Sequence, residues 1–282
     1  MIEQKGIINK LGLYGLVLLL CIIVVLPFAI MISYSLRSSN DIFSLDTSLI
    51  PKNLTLSAYK NALFNYKFSG YGFVRWSWNS LVTCGVAVFF ATFFAASTGY
   101  AISRFKFTGK KILWFIIALT QTIPWIIILI PYYFTVSRMG LVNNLVILGM
   151  TCMALFLPTS AWLFVGFFNN IPYDIEEAAK IDGCSHWGIF FRIILPLSTA
   201  SISVIALVAF VGGWGDYLFA SVFMKQSSLW TIPLGLTSFR GEHSIQWAEI
   251  MAMSVIVTLP IAFLFIFLQK YLVDLMAGGV KQ

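Results

Sequence analysis

The segment 169–197 is a polar, mixed-charge stretch between two long apolar runs of the chain. It places Asp174, Glu176 and Glu177 close together and follows them with Gly183. Carboxylates are favoured at the positive N-terminal end of a helix, and glycine readily adopts the left-handed backbone that ends many helices. The pattern therefore predicts a short, capped surface helix. Its chemistry is charged contact with other molecules rather than the making or breaking of bonds.

The same segment contains signals for two helices joined by a sharp turn. Asn170 and Ser185 are residue types that accept hydrogen bonds from the free N–H groups at helix starts. The second helix ends near Pro196 and carries apolar residues for packing onto a membrane or a bundle: Trp187, Phe190, Phe191, Ile193 and Ile194. Two interpretations remain open. The segment is either an amphipathic helix that rests at the membrane interface or a rigid element that transmits movement to the next span.

Residues typical of catalysis or metal binding are sparse. Cys21, Cys84, Cys152 and Cys184 form no CxxC pair, which predicts small apolar fillers. The chain has no Walker A motif, since the GKK at 109–111 lacks the upstream glycine and the following Ser or Thr. Proton-driven pumps usually carry acidic or histidine residues in several spans, whereas here Asp216 is the exception. A chain of this kind that transports uphill takes its energy from another polypeptide.

The composition places the chain in the membrane class. Hydrophobic residues make up 59% of the 282 residues and charged residues only 10%, with mean hydropathy +0.89. Soluble domains carry about 25% charged residues, which they need to cover their surface. The net charge of +7 does not indicate a nucleic-acid protein, because no contiguous basic face with interleaved aromatic residues is present.

Six apolar runs are long enough to cross a bilayer, which takes roughly 20 residues of helix. The sequence therefore predicts an all-α polytopic membrane protein with spans at 11–36, 79–103, 112–136, 141–168, 198–224 and 248–269. The first run is too long for a signal-peptide core and is predicted to be retained. Between the first two spans, residues 56–68 repeat apolar side chains at helical spacing (Leu56, Tyr59, Leu63 and Tyr66), which predicts an amphipathic surface helix.

The short loops predict the orientation. Residues 104–111, RFKFTGKK, contain four basic residues, which marks this loop as cytoplasmic by the positive-inside rule. Alternation then predicts that both termini and the 169–197 loop are cytoplasmic, and that the 225–247 loop is external. Prolines inside the runs predict kinks, which are either ordinary packing features or hinges of a bundle that bends. No internal repeat is present, which disfavours inverted-repeat secondary transporters.

The segment 176–196 resembles the signature of the permease subunits of ATP-binding-cassette (ABC) importers. That signature has the order E-A-A, three residues, G, nine residues, I-x-L-P, and its positions are Glu177, Ala178, Ala179, Gly183, Ile193, Leu195 and Pro196. The resemblance implies a type I importer fold in which this loop, 169–197, docks on a cytoplasmic ATPase as a coupling helix. The docking residues it implies are Glu176, Glu177, Ala178, Ala179, Asp182 and Gly183.

Two stretches near the C-terminus are similar to the maltose-type carbohydrate permeases, and to their smaller membrane subunit in particular. The tail 270–282 shares Gly278, Gly279, Val280 and Lys281 with that family, although Asp274 or Leu275 stands where a glycine is sometimes seen. The stretch WGDYLFAS at 214–221 resembles the family's W-N-[ED]-[FY]-L-F-A motif. Gly215 replaces the usual Asn, which puts the role of that Asn in doubt here. The tail is expected to point towards the ATPase.

Five residues are candidates for the transport path, each with a structural alternative. Asp216 either faces the path or is a carboxylate wetted near the outer end of span five. Trp214 and Tyr217 either stack on sugar rings or belong to an interfacial aromatic belt. Asn79 and Gln121 either line the path or join helices by hydrogen bonds. The 225–247 loop either reaches into an external binding protein or forms a surface loop with a short re-entrant piece.

Taken together, the resemblance implies a single transmembrane domain, 1–282, acting as a permease subunit in a bacterial inner membrane. It implies import of a carbohydrate, most simply an oligosaccharide, by alternating access. The implied partners are a second homologous permease, two ATPase subunits that hold ATP and Mg²⁺, an extracytoplasmic solute-binding protein and the lipid bilayer. The chain itself is expected to bind no metal or cofactor and to catalyse no reaction. The alternatives are a permease for a non-sugar solute and a stand-alone secondary carrier.

Overall fold

A computed structural model describes residues 2–38, 41–43, 48–241 and 245–278. The described residues are predominantly helical and form no β-strand beyond two isolated bridges, which confirms the all-α prediction. The α-helices are α1 Ile2–Ser35, α2 Ser57–Lys60, α3 Phe73–Arg104, α4 Lys110–Thr120, α5 Trp125–Arg138, α6 Leu145–Asn169, α7 Tyr173–Ile181, α8 His186–Ile189, α9 Leu195–Leu197, α10 Thr199–Trp214, α11 Leu218–Phe223, α12 Ile232–Leu236 and α13 Trp247–Gly278. Single π-helical turns occupy Asn61–Asn65 and Phe190–Ile194.

Four helical segments of the described chain are long and apolar enough to cross a membrane alone: Gly12–Ser35, Phe73–Arg104, Leu145–Asn169 and Trp247–Tyr271. Two further spans are bent pairs. Lys110–Thr120 meets Trp125–Arg138 at 99°, and His186–Leu197 meets Thr199–Trp214 at 77°. The predicted count of six spans is obtained when each bent pair counts as one, although the second pair, 186–214, begins before the predicted bounds 198–224.

Span three is interrupted at a proline that the sequence analysis expected to kink it, and span five is interrupted at a site without a proline. Span three breaks before Pro124, whose extended backbone (ψ 124°) and missing N–H prevent the helix from continuing. In span five, α10 ends at Trp214, and the chain restarts as α11 only at Leu218. Glycines cluster immediately before this break, where α10 also packs closely on its neighbours. Pro27, Pro131, Pro158 and Pro260 lie inside helices, as the sequence predicted.

The chain divides into two compact units, and the larger consists of Phe68–Gly235 and Pro260–Gln282. Its core is formed by α3, α6 and α10, which pack against one another. Small side chains allow this close approach, as is usual between membrane helices. Gly99 shows how close it is, because a Cβ there would lie 2.6 Å from the Cβ of Phe164.

The smaller unit consists of Met1–Lys67 and Leu236–Leu259. The predicted amphipathic helix 56–68 lies in it but is shorter, since α2 and its π turn end at Tyr66, where the backbone is extended. The buried face of this helix is made by Ala58 and Ala62, whereas Leu56 is exposed. The predicted apolar residues Tyr59, Leu63 and Tyr66 are half-buried beside these alanines, so the apolar spacing predicted most of the packed side. Tyr66 stacks on Phe239 with 4.1 Å between ring centroids.

Candidate functional site

The helix α7, Tyr173–Ile181, occupies the segment that carries the acidic residues. Pro172 precedes it at the N-cap position and offers no capping side chain. Asn170 instead is the C-cap of α6, in right-handed helical conformation. The prediction that Asn170 caps the helix was therefore wrong. The physical reason is that the preceding helix continues to Asn169 and leaves too short a connection for Asn170 to reach the new N-terminus.

The turn after α7 is closed by backbone hydrogen bonds at Gly183. Its φ is +81°, the left-handed conformation that glycine adopts without strain. The N–H of Cys184 donates to the carbonyl of Ala179 at 2.9 Å, and the N–H of Gly183 donates to that of Lys180 at 3.0 Å. This pair of bonds is a Schellman motif. Ser185 then caps α8 by accepting from the N–H of Gly188 at 3.2 Å. The predictions for Gly183 and Ser185 are confirmed.

The two sides of α7 differ in exposure. Glu177, Ala178 and Asp182 are exposed. Glu176 is only 3% exposed, and Ala179, at 7%, belongs to an apolar cluster with α6 and α8. The six residues that the sequence grouped as one docking set are thus divided by the fold. Glu176 and Ala179 face inward, so they are not available as surface contacts in this conformation.

The carboxylate of Glu176 forms a buried ion pair with Arg104, the last residue of α3. The Arg104 Nε donates to Glu176 Oε1, and both side chains are at least 95% buried. The hydroxyl of Tyr100, one turn earlier on α3, donates to Glu176 Oε2 at 2.9 Å. Both carboxylate oxygens therefore have hydrogen-bond donors, as a buried charge requires.

The same end of α3 also holds the entry to α7. Arg104 Nη2 donates to the carbonyl of Ile171 at 2.9 Å, and the guanidinium lies 4.3 Å from the ring centroid of Tyr173. The hydroxyl of Tyr173 donates to the carbonyl of Ser103 at 3.0 Å. We call the set Tyr100, Arg104, Tyr173 and Glu176 the latch.

The sequence analysis missed the latch on α3 and treated Arg104 only as a marker of orientation. One signal was present, because Tyr100 and Arg104 are four residues apart and so share a face of a helix. That spacing predicts two neighbouring polar side chains at a span end. It does not indicate that their partner lies more than seventy residues further along the chain.

Asp216 lies in the break between α10 and α11 and acts as a helix cap. Its Oδ1 accepts from the N–H of Phe219 at 3.3 Å, and its Oδ2 accepts from the N–H of Ala220 at 3.0 Å. The neighbouring Trp214 is 3% exposed and stacks on Phe210, with 5.2 Å between the ring centroids. Tyr217 is 48% exposed. Of this stretch, only Tyr217 presents a largely open ring.

Asn79 and Gln121 both join parts of the larger unit. The side-chain amide of Asn79, fully buried, donates to the carbonyls of Ser228 at 2.9 Å and Trp230 at 2.8 Å. Gln121 lies at the bend of span three, and its amide donates to the Thr159 hydroxyl at 2.9 Å. Asn79 thus joins α3 to the 225–247 loop, and Gln121 joins the bend of span three to α6.

The 225–247 loop folds back onto the helices through its first part. Helix α12 within it buries Ile232 and Leu234, and a Cβ on Gly235 would lie 2.2 Å from the Trp76 ring. The short re-entrant piece that was one of the two expectations for this loop corresponds to α12, which packs on the helices. Residues 242–244 of the loop, and Gly279, Val280 and Lys281 of the tail, lie outside the described residues. Gly278 is the last residue of α13.

The described residues contain no cluster of three or more side chains suited to hold a metal ion. Comparison with known proteins then decides the family. Residues 87–278 match the family described as "Binding-protein-dependent transport system inner membrane component". The chain belongs to this family.

Curated relatives resemble the permease along its whole length. The permease is 34% identical to the galactooligosaccharides transport system permease protein GanQ of Bacillus subtilis, over 99% of this chain and 98% of that protein. It is 32% identical to the maltodextrin permease MdxG of the same organism, over 97% of each. It is 30% identical to the inner membrane ABC transporter permease YcjP of Escherichia coli, over 100% of each.

The fold is also that of a solved importer. The permease superposes on a chain of a bacterial ABC transporter involved in alginate import with a TM-score of 0.77, covering 93% of this chain and 96% of that one at 22% identity. The permease is accordingly a multi-pass inner membrane component of a binding-protein-dependent ABC importer. It is a transport subunit rather than an enzyme, and ATP hydrolysis belongs to separate subunits.

Proposed function

We propose that this permease imports a carbohydrate, and an oligosaccharide in particular. The observation that carries the proposal is the similarity over nearly the whole chain to permeases named for galactooligosaccharides and maltodextrin. A permease named for diacetylchitobiose uptake in Streptomyces coelicolor, 31% identical over 91% of this chain, points to the same class of solute. Short linear sugars of several rings are common to these names.

The exposed side of α7 is the surface that docks on the ATPase. It offers the carboxylates of Glu177 and Asp182 with the small Ala178 between them and Gly183 at the turn. Small residues leave room for a groove of the partner to close over the helix, and the carboxylates favour basic groups there. Glu176 and Ala179 are taken out of this docking set because they face inward. Gly278, Gly279, Val280 and Lys281 direct the tail to the same ATPase.

The assembly consists of this permease, a second homologous permease, two ATPase subunits that hold ATP and Mg²⁺, and a solute-binding protein. The basic loop 104–111 supports an orientation with α7 and both termini in the cytoplasm. Residues 1–282 then act as one transmembrane domain. Closure of the two ATPases on ATP draws the coupling helices together, and the cavity between the permeases opens to the other side.

The transport path is expected to include Tyr217 and Gln121 among the candidates. Tyr217 is half exposed, and Gln121 lies exposed at the bend of span three. An open aromatic ring suits the C–H face of a sugar, and an amide suits its hydroxyl groups. Trp214, Asp216 and Asn79 are engaged in packing, capping and helix joining, and they shape the path indirectly.

Calorimetry of the cognate binding protein against a panel of mono- and oligosaccharides tests the choice of solute. We expect binding of one oligosaccharide class, followed by ATP-dependent uptake of the same sugar into vesicles that contain the whole importer. A binding protein that takes a polyamine, a phosphate or a peptide, and none of the sugars, would contradict the carbohydrate assignment while leaving the importer assignment intact.

A further inference from the structure

The latch occupies a position through which force can pass from α7 to the helix core. It joins α7 to the last turn of α3, and α3 packs against both α6 and α10. The other connections of α7 are the chain at its two ends, into α6 through residues 170–172 and into α8 through the turn at Gly183, and the apolar packing of Ala179. The latch adds polar side-chain contacts to these connections, so that movement of α7 can also reach α3 directly.

The chemistry of the latch makes this connection stiff. The Glu176–Arg104 pair is buried, so separating the two charges would leave each of them in an apolar site without a partner. Arg104 also holds the carbonyl of Ile171 and the ring of Tyr173, so its guanidinium contacts α7 and its entry at three places. Tyr100 fixes the second carboxylate oxygen from the same face of α3.

The side of the latch formed by Tyr100 packs against aromatic rings of neighbouring elements. The ring of Tyr100 packs at centroid distances of 6.0 Å on Phe168 and 5.0 Å on Phe190. These rings come from α6 and from the π turn after α8, so the buried part of the latch, Tyr100, Arg104 and Glu176, contacts elements on both sides of α7. Replacing a buried ion pair by apolar residues of similar size is often neutral or stabilising, so stability alone does not require an ion pair at this place.

We propose that Glu176 is a positioning residue for energy coupling, which together with Arg104 makes α3 follow the movement of the docked α7. The inference rests on the proposed docking of α7. Its particular claim is that the movement enters the core through the side chains of α3 as well as through the chain into α10. Glu176 then acts inside the permease, and its neighbour Glu177 acts on the ATPase.

The test uses the whole importer in vesicles, with Glu176→Gln and Arg104→Met as the variants. Three quantities are measured: ATPase subunits retained on purification, ATP hydrolysis stimulated by the loaded binding protein, and solute imported per ATP hydrolysed. We expect both variants to retain the ATPase subunits while solute per ATP falls at least about fivefold, the lower end of usual coupling effects. Asp174→Asn, an exposed carboxylate on the same helix, is the matched control and leaves the ratio unchanged.

Two further variants separate the latch from a general loss of structure. The double variant with both substitutions should lose no more than either single one, because the two residues act as one unit. The exchange of charges, Glu176→Arg with Arg104→Glu, should recover part of the ratio. The proposal would be overturned if both single variants import as much solute per ATP as the wild type. It would also be overturned if the fall in transport were in proportion to the ATPase subunits lost on purification.

If Glu176→Gln does not assemble, Tyr100→Phe carries the same test. It removes only the hydroxyl that donates to Glu176 and keeps the packed ring, and we expect the ratio to fall about twofold. An unchanged ratio in an assembled Tyr100→Phe importer would overturn the proposal in that case. The proposed docking is tested separately. If the importer with Glu177→Arg retains all of its ATPase subunits, α7 does not dock through Glu177.

Discussion

At the residue scale, Glu176 and Glu177 are adjacent carboxylates with opposite surroundings. Successive residues of a helix point about 100° apart, so one side chain turns into the bundle and the next one stays at the surface. Inside, Glu176 is held by Arg104 and Tyr100, and removal of one partner of such a pair costs about 3–5 kcal/mol. Outside, Glu177 has no such constraint and is available to a partner protein.

Replacing Glu177 by Arg is expected to weaken docking of the ATPase. The substitution reverses the charge on the exposed side of α7 without entering the core, so the permease should still insert and fold. ATPase activity stimulated by the loaded binding protein should fall at least about tenfold, as expected for an interfacial charge reversal of 1.4 kcal/mol or more. Asp174→Arg changes the charge of the same helix equally, and an equal loss in that control would show that Glu177 has no specific role.

Two substitutions of Asp216 distinguish a role in helix capping from a role in solute contact. Asp216→Ala removes the acceptor for the N–H groups of Phe219 and Ala220 and should cost about 1 kcal/mol of stability. Asp216→Asn keeps one of the two acceptor oxygens and removes the charge, so its loss of stability in thermal unfolding in detergent should be smaller than that of the Ala variant. Uptake by the Asn variant should stay close to that of the wild type, and a large rise in the solute KM of uptake would instead place the charge in the path.

At the scale of elements, α6 and α10 pack closely because Gly212 has no side chain. A Cβ on Gly212 of α10 would lie 1.9 Å from Cζ of Phe156, a residue of α6. Real atoms do not approach so closely, so the ring or the helix would have to shift. Gly212 therefore allows α10 to contact α6 just before the break between α10 and α11.

Gly212→Ala is expected to destabilise the permease by about 1–3 kcal/mol through overpacking. Thermal unfolding in detergent measures this, and Phe156→Ala in the same chain should return part of the loss because it removes the opposing ring. Gly166→Ala on α6 is the control, since its Cβ meets nothing within 4 Å. An equal loss in the two alanine variants would attribute the effect to backbone preference rather than to contact with Phe156.

At the scale of the whole molecule, the permease receives its energy from outside. Its sequence has no nucleotide-binding motif, and the family places ATP hydrolysis on separate subunits. Vesicles that contain the two permeases and the loaded binding protein without the ATPase subunits should therefore show no accumulation of solute above the external concentration. Accumulation in these vesicles, abolished by a proton ionophore, would indicate a secondary carrier instead.

Much of the architecture could be predicted because membrane helices are specified by local chemistry. Apolar length predicted the spans, and the glycine and serine at 183 and 185 predicted the turn and the cap, since these signals act within a few residues. The errors arose where local chemistry allowed two outcomes. Pro124 was expected to kink span three and instead follows a full break as the N-cap of α5. Ala58 and Ala62 are the buried residues of the 57–65 segment although larger apolar residues lie beside them.

The sequence by itself determined that this protein crosses a membrane by helices and carries a capped acidic helix between two spans, because composition, period and capping are properties of neighbouring residues. Only the tertiary structure decided what each carboxylate of that helix does. Glu176 is buried because α3 ends at Arg104 directly beside it, and no local rule relates residues so far apart in the chain. The segment 169–197 is connected to α3 through Glu176, and the proposed function adds a surface for the ATPase through the exposed Glu177.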